Sequence, residues 1–432
     1  MPDRTEPPQH PVRFDAAMER PTSDEEVTIA KLIDTMRSIM EKTYHGGGHA
    51  TRGVHAKSHG LLIGELTVLG DLPPSLAQGL FAEPRTYPVV IRFSTIPGDI
   101  LDDEISVPRA VAIKVIGVEG ARLPGSEGEV TQDFLLVNGK AFPAPDPKSF
   151  LNTVRVLAST TNQPQLIKKV VSAVARGTER VMEAVGSESA LLQTLGGHSP
   201  THILCESFFS QAPTLYGEYI AKFTVEPVSA NLIALKQQVL DLAGHPTAIR
   251  DAVIEFFKTQ TGTWELRAQL CSNLETMPIE DASVVWPEEE SPYIPVARMT
   301  VRPQIGWSEL RSKAIDDGMA FSPWHGLAAH RPVGGVMRAR KAVYEASARY
   351  RAEHNHTPIR LSPIPTTSGV PPLSRVKFGV GQGVGVAYDA EKRAEGVVRE
   401  QPLKNSGSER GNDRSSRAPE RPCPPTSSVN PH

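Results

Sequence analysis

Apolar residues recur at helical spacing in two long stretches of the chain. In the first, from residue 22 to about residue 42, a 3.6-residue period follows Ser23, an N-cap residue backed by acidic residues in the first turn. In the second, residues 162–194, lysines and arginines lie on the face opposite the apolar positions. Both stretches are predicted to be helices.

Short apolar runs dominate the region between these helices and return after them. With turn signals at hairpin spacing, they predict strands at residues 53–57, 61–69, 88–94, 110–118, 132–138, 219–225, 264–270 and 293–301. Further helical segments are predicted at residues 231–243, 246–259 and 307–314. Polar residues at alternating positions favour antiparallel pairing, so the predicted fold class is α+β, an antiparallel β-barrel with flanking helices.

Another helix is predicted over residues 336–353, where helix formers lie between a Gly-Gly pair and downstream Asn and Pro stop signals. Its polar face is unusual, because Arg340, Tyr344, Ser347 and Arg351 lie on one side. A buried stripe is normally aliphatic, and a solvated stripe normally mixes charge signs. Taken alone, the face fits a half-buried tyrosine with arginines extending past it.

Composition narrows the class of protein. The chain of 432 residues is 39% hydrophobic, 22% charged and carries a formal net charge of −3, which gives no electrostatic basis for binding nucleic acid or an anionic membrane. No apolar run is long enough for a signal peptide or a membrane anchor. Three widely spaced cysteines predict neither a disulfide framework nor a zinc site. We therefore expect a cytoplasmic protein.

The two ends of the chain differ from its centre. Residues 1–21 are polar and proline-rich, and residues 361–432 are rich in Pro, Ser and Gly. Such segments bury too little apolar surface to fold alone. We expect a disordered leader, one domain over residues 22–360, and a disordered tail.

Polar residues interrupt two of the predicted strand regions. Arg52 and His55 lie in the first, and Arg92 and Ser94 share one face of the strand at residues 88–94. An apolar sheet does not accept such groups without partners. A single strand histidine is more often a hydrogen-bonded core residue than a catalyst, so each residue alone is a weak signal.

A third strand region adds an amide. Period 2 places Asn138 on the face of Phe134 and Leu136. If all these polar side chains point to one place, opposite the face of Tyr344, they form two sides of a pocket for a flat anionic ligand.

Five short motifs in this order resemble the haem-binding core of the monofunctional haem catalases. They are Arg-x-Val-His-Ala-Lys at residues 52–57, Arg-Phe-Ser-Thr at 92–95, Asn138 four residues before Phe142, Ala-Phe-Ser-Pro at 320–323, and Arg-x-x-x-Tyr at 340–344. The similarity spans residues 45–355 and is thin outside the motifs. It implies a catalase-type barrel and haem b (iron protoporphyrin IX) as cofactor.

The resemblance also implies a role for each motif residue on the proximal side and at the haem edge. Tyr344 is the expected iron ligand, as phenolate, and Arg340 one turn earlier is expected to lower its pKa. Arg52, Arg92 and Arg351 are expected to bind the haem propionates, for which guanidinium groups are suited donors.

On the distal side, the resemblance implies His55 as the base, Asn138 as its companion, and Ser94 hydrogen-bonded to the second ring nitrogen of His55. The implied activity is consumption of hydrogen peroxide or organic hydroperoxides, as a catalase or a peroxidase with an organic reductant, in an oxidative stress response. A homo-oligomer is compatible with the resemblance. The sequence departs from it in the short leader, in the tail, and in the lack of a matching haem-stacking phenylalanine.

Three other functions fit the same residues. The first is rearrangement of a fatty-acid hydroperoxide on the same scaffold. The second is haem carriage or peroxide sensing without turnover. The third, a barrel that has lost haem, is disfavoured because unused buried arginines are costly to fold.

Overall fold

The computed structural model describes residues 6–161 and 200–360, which belong to one compact unit. Within these ranges one antiparallel sheet has the strand order β5-β4-β3-β2-β1-β9-β8-β7-β6. The strands are β1 Lys57–Val68, β2 Thr86–Thr95, β3 Arg109–Ile116, β4 Thr131–Val137, β5 Phe208–Phe209, β6 Thr214–Tyr216, β7 Tyr219–Pro227, β8 Gly262–Leu270 and β9 Ile294–Val301.

The two-residue strand β5 closes the sheet. It pairs with β4 through one residue and with β7 through both. Eight strands therefore form a closed antiparallel barrel, and β6 is a hairpin partner of β7 outside the ring. Closure leaves the eight strands without a free edge.

Alternation along each strand separates the barrel core from an outer face. On β2, Val89 and Phe93 belong to the interior cluster, which draws residues from strands all around the ring. Arg92 and Ser94 alternate with them and point outward. On this outer side, Val90 packs against Met319 and other apolar residues of the chain before the last helix.

The helices lie outside the barrel. Their bounds are α1 Glu25–Gly47, α2 Pro147–Thr160, α3 Ala230–Ala234, α4 Ala248–Thr259, α5 Glu309–Ser312 and α6 Gly335–His354. Leu32 of α1, Val154 of α2 and Val343 of α6 belong to one buried cluster, so these three helices form a layer. No helix in the described ranges is long and apolar enough to cross a membrane.

Several predicted elements are confirmed. Helix α6 differs from the prediction by one residue at each end, and β2 and β4 by one or two. The segment predicted at 231–243 is shorter, with α3 followed by a 3-10 turn Leu235–Gln237, and the segment at 307–314 is α5 followed by a π-helical turn Lys313–Asp317. Helix α2 was not predicted. Residues 162–194 and 361–432, predicted as a helix and a disordered tail, lie outside the described residues.

The segment 53–57 is not a strand, contrary to prediction. Residues 51–56 form an irregular loop, and β1 begins at Lys57. His55 has a φ of 56°, in the left-handed region that a strand cannot contain. The apolar and polar pattern of six residues was too short to distinguish a strand from a packed loop.

The leader was predicted to be disordered, but its described part, residues 6–21, is ordered. Val12 N donates to Cys271 O, and Phe14 N donates to Glu218 O. Val12 and Phe14 pack on a cluster that includes Trp286. Residues 6–21 are thus tied to the barrel by backbone hydrogen bonds, which side-chain polarity alone does not reveal.

Candidate functional site: an arginine-rich pocket beside the barrel

The predicted Arg-Tyr pair of α6 is formed. Arg340 Nη2 donates to the Tyr344 hydroxyl at 2.9 Å, and the guanidinium lies 5.2 Å from the phenol ring centre. Arg340 is 9% exposed, and the second nitrogen of its guanidinium contacts Met337 Sδ. A buried cation therefore lies at hydrogen-bond distance from the Tyr344 oxygen.

The loop carrying His55 is pressed between α1 and the chain after β2. Gly53 lies so close to α1 that a Cβ there would be 2.4 Å from Met36 Sδ. A Cβ at Gly98 would lie 2.5 Å from Gly53 O, so the two backbones touch. Arg92 Nη2 also donates to Ala56 O at 3.0 Å. These contacts hold His55 in its left-handed conformation, the kind of strain that concentrates at functional sites.

His55 is a neutral base under ordinary conditions. Burial, together with the positive charges of Arg92, Arg340 and Arg52, lowers its pKa to about 3. The positive charge of Arg340 contributes to the lowered pKa of His55, so Arg340 lies within electrostatic range of the loop that carries His55.

The expected Ser94 contact is wrong in this structure. His55 Nδ1 is buried and has no hydrogen-bond partner among the described residues. Ser94 lies on the outward face of β2 as predicted and is 2% exposed. The strand face predicted for Ser94 is correct, but its hydroxyl makes no hydrogen bond to His55 Nδ1.

The face argument for Asn138 is also wrong. Phe134 and Leu136 point into the barrel core, the opposite side from Arg92. Asn138 follows the end of β4; its Oδ1 accepts from Arg109 N at 2.9 Å, and its Nδ2 donates to Glu206 Oε2 at 2.8 Å. The structure therefore shows the amide in a strand-end network.

The three predicted propionate ligands are brought together around Asp316. Arg52 Nη1 and Arg351 Nη1 donate to the Asp316 carbonyl O at 2.9 and 2.6 Å. The Nη2 atoms of the same two arginines donate to Met319 O. Arg92 Nε donates to Asp316 Oδ1 at 2.6 Å. Residues from a loop, a strand and a helix thus meet at one turn.

Mutual repulsion is evident in this cluster. Burial and the nearby charge of Arg92 lower the pKa of Arg351 to about 10. Burial and the charges of Arg92 and Arg351 lower the pKa of Arg52 well below its usual value. The three guanidinium groups and the Asp316 carboxylate together carry a net charge of about +2, which suits a ligand with two carboxylates.

Solved structures show similarity to this chain. A fungal catalase matches with a TM-score of 0.52 and 16% identity, over 83% of this chain and 74% of its own. Catalase A from Saccharomyces cerevisiae matches with 0.53 and 15%, over 84% and 76%. A bacterial catalase matches with 0.50 and 15%, over 88% and 70%.

The chain has the catalase fold. No protein-family model and no curated protein matches the sequence. At such low identity the structural similarity concerns the fold. The chemistry of this chain is therefore inferred from the geometry of its own site.

The donor set of this catalase-fold site fits haem. Tyr344 offers an oxygen ligand beside a buried guanidinium group, and the arginine cluster has excess positive charge. His55 Nδ1 and Arg351 Nε are buried polar atoms without partners among the described residues, so the polar requirements of the site are not met by protein alone. A cavity of about 540 Å³, lined in part by Arg52 and Arg351, opens beside the cluster; neither His55 nor Tyr344 is among its described lining residues.

The described part of the catalase-fold domain contains no group of three or more His, Cys, Asp or Glu side chains that could hold a metal ion. Such clusters are the usual signature of a directly bound zinc or iron ion.

Sequence reasoning missed Asp316. The only signal was the acidic pair Asp316-Asp317 just before the motif at 320–323. An acidic pair just after a predicted short helix is normally solvent-exposed, whereas the Asp316 side chain is 14% exposed and bonded to arginines from distant parts of the chain.

Proposed function

We propose that the protein binds haem b and uses it to consume peroxide, with Tyr344 as the iron ligand. The observation that carries this proposal is the Arg340–Tyr344 hydrogen bond, on a catalase fold that also holds a buried, neutral His55. A tyrosine ligand and a histidine base are the two groups that we assign to the proposed peroxide chemistry.

The proximal residues stabilise the phenolate. Arg340 holds the Tyr344 oxygen by a charge-assisted hydrogen bond from the preceding turn. This keeps an anionic ligand in place and moderates its electron donation. Helix α6 fixes both side chains on one face, so their relative geometry does not depend on a loop.

The distal histidine moves a proton. Because its pKa is about 3, His55 is unprotonated at neutral pH and would take a proton from one oxygen of the peroxide. It would then give that proton to the other oxygen, so that this oxygen leaves as water. The close contacts of its loop with α1 and Gly98 hold His55 in position for this transfer.

When bound, the haem iron supplies the two-electron redox chemistry that reduces the peroxide and is then restored by a second peroxide or an organic reductant. Arg52, Arg92 and Arg351 would hold the propionates and fix the plane of the cofactor. Asn138 is assigned no step of the proposed reaction, because its amide is bonded to Arg109 and Glu206 at the end of β4.

The first test is the reaction itself. Protein reconstituted with haem is given hydrogen peroxide in an oxygen electrode, and in parallel hydrogen peroxide with a dye reductant. Oxygen evolution establishes catalase activity, and dye oxidation without oxygen establishes peroxidase activity. A haem spectrum with neither activity would contradict the proposed reaction and favour the haem-binding or sensing alternative. Conversion of a fatty-acid hydroperoxide to a rearranged product, without oxygen or dye oxidation, would favour that alternative.

A further inference from the structure

The Asp316 carboxylate makes more hydrogen bonds than a solvent-exposed surface aspartate needs. Its Oδ1 accepts from Arg92 Nε, with Arg52 Nη1 at 3.3 Å from the same oxygen. Its Oδ2 accepts from Ser58 Oγ at 2.7 Å and from Ser312 Oγ at 2.8 Å. Both carboxylate oxygens are therefore saturated, and the group is fixed in position.

The backbone at Asp316 is built for the same purpose. Residues Lys313–Asp317 form a π-helical turn, and Gly318 N donates five residues back to Lys313 O. A Cβ at Gly318 would lie 2.7 Å from Ala314 O, so glycine is required for this closure. Such turns are rare, and they occur often at functional sites. Here the turn presents the Ile315, Asp316 and Met319 carbonyls to guanidinium groups.

Asp316 stays ionised despite its position. Burial alone would raise its pKa, but the charges of Arg92 and Arg52 outweigh burial and hold the pKa below its usual value. The carboxylate thus supplies a permanent negative charge among three cations that otherwise repel one another.

We propose that Asp316 is a positioning residue that acts as an internal counter-ion, holding Arg52, Arg92 and Arg351 together and leaving a charge that matches two carboxylates. This inference rests on the proposed function only for the identity of the ligand, a haem with two propionates. The counter-ion role itself is a property of the protein without ligand.

The first experiment measures the haem-free protein. Asp316→Asn keeps the side-chain shape and removes the charge, and Asp251→Asn is the matched control, since Asp251 is exposed on α4 and is bonded to Thr247. The melting temperature should fall by about 5 °C or more in Asp316→Asn, because a buried cation cluster loses its partner. It should fall clearly less in Asp251→Asn. Equal effects of the two substitutions would overturn the proposal.

A second measurement compares two cofactors by Soret titration: haem, and haem dimethyl ester, whose propionates carry no charge. Asp316→Asn should prefer haem over the ester by about tenfold more than the wild-type protein does, because the propionates then interact with uncompensated arginines. Asp251→Asn should keep the wild-type preference. An unchanged preference in Asp316→Asn would contradict charge matching.

A double variant covers the case in which Asp316→Asn does not fold. Asp316→Asn combined with Arg92→Gln removes one charge of each sign and should recover folding and part of the melting temperature. No recovery would overturn the counter-ion role. If the wild-type protein binds neither cofactor, the proposed function fails, while the melting comparison still tests Asp316 separately.

Discussion

The phenol of Tyr344 accepts a hydrogen bond from a guanidinium four residues earlier, and that pairing was readable from the sequence. Residues at i and i+4 meet on any helix, so the Arg340–Tyr344 contact needed only the helix to be predicted correctly. The partners of Arg351 were not readable, because they lie in a turn 32 to 35 residues away.

Tyr344→Phe should remove the iron ligand while leaving the fold intact. The phenol is half-buried, and its hydroxyl serves as a hydrogen-bond acceptor for Arg340. With added haem, the variant should lose the tyrosinate charge-transfer bands and shift its Soret maximum. Absorption and magnetic circular dichroism spectra measure both.

Tyr350→Phe is the matched control, since Tyr350 lies on the same helix and stacks on His354. It should leave the haem spectrum unchanged. Identical spectra for wild type and Tyr344→Phe would show that another residue binds the iron.

His55→Gln should separate catalysis from cofactor binding. The residue has no protein partner at Nδ1, so its loss breaks no hydrogen bond at that atom, while the proton transfer loses its base. We expect peroxide consumption to fall by about 10²–10⁴-fold with the Soret band retained. His245→Gln, at an exposed position, is the control; loss of haem in His55→Gln would mean that the residue is structural.

The low pKa of His55 also predicts the pH dependence of activity. Because that pKa is about 3, His55 should stay neutral as the pH falls from neutrality to about 5. The rate of peroxide consumption should therefore show no decline attributable to His55 over this range. A decline with an apparent pKa near 6.5, abolished in His55→Gln, would contradict the assignment.

The two-residue alternation of strands predicted the positions of Arg92 and Ser94 correctly and that of Asn138 wrongly. The alternation on β2 placed Arg92 and Ser94 together, and the structure agrees. The same rule failed for Asn138 because that residue follows the end of β4, where the chain no longer alternates. Parity holds only inside a strand, and strand ends are the least certain part of a sequence-based prediction.

The loop at residues 51–56 depends on close backbone contacts that no periodicity reports. Gly98→Ala should displace the loop at residues 51–56, because the new Cβ would lie 2.5 Å from Gly53 O. We expect destabilisation of about 1–3 kcal/mol and weaker activity from a displaced His55. Urea denaturation and peroxide turnover measure the two effects.

Gly47→Ala is the control for that substitution. A Cβ at Gly47 meets nothing within 4 Å, at the end of α1. Its effect should stay within about 1 kcal/mol. If Gly98→Ala is equally mild, the loop is not held by this contact.

The barrel as a class was predictable, but its closure was not. A long strand such as β8 carries enough alternation to be recognised. Closure depends on β5, two residues whose pairing with β4 and β7 leaves no pattern in the sequence.

Buried neutral histidines should make stability depend on pH. Burial lowers the pKa of His202 and His330 from 6.5 to about 4; His330 Nε2 accepts from Leu80 N, which protonation would prevent. Between these pKa values the unfolded chain binds more protons than the folded one. Stability is therefore full above pH 6.5 and is lost as the pH falls, by about 1.4 kcal/mol per pH unit for each such histidine.

Chemical denaturation between pH 7 and pH 4 measures this dependence. His330→Gln should lower stability at pH 7 and also flatten the slope below pH 6.5. A slope that His330→Gln leaves unchanged would show that other groups cause it.

The leader reaches the helix that carries Tyr344. Glu19 Oε1 accepts from Gly334 N and from Arg338 Nη1, at the start of α6. On the ribosome, Glu19 is made roughly tens of seconds before these partners, at 5–20 residues per second. The start of α6 can therefore make its contacts with Glu19 only after residues 334–338 have been synthesised, and the proposed haem site is completed late in the synthesis of the domain.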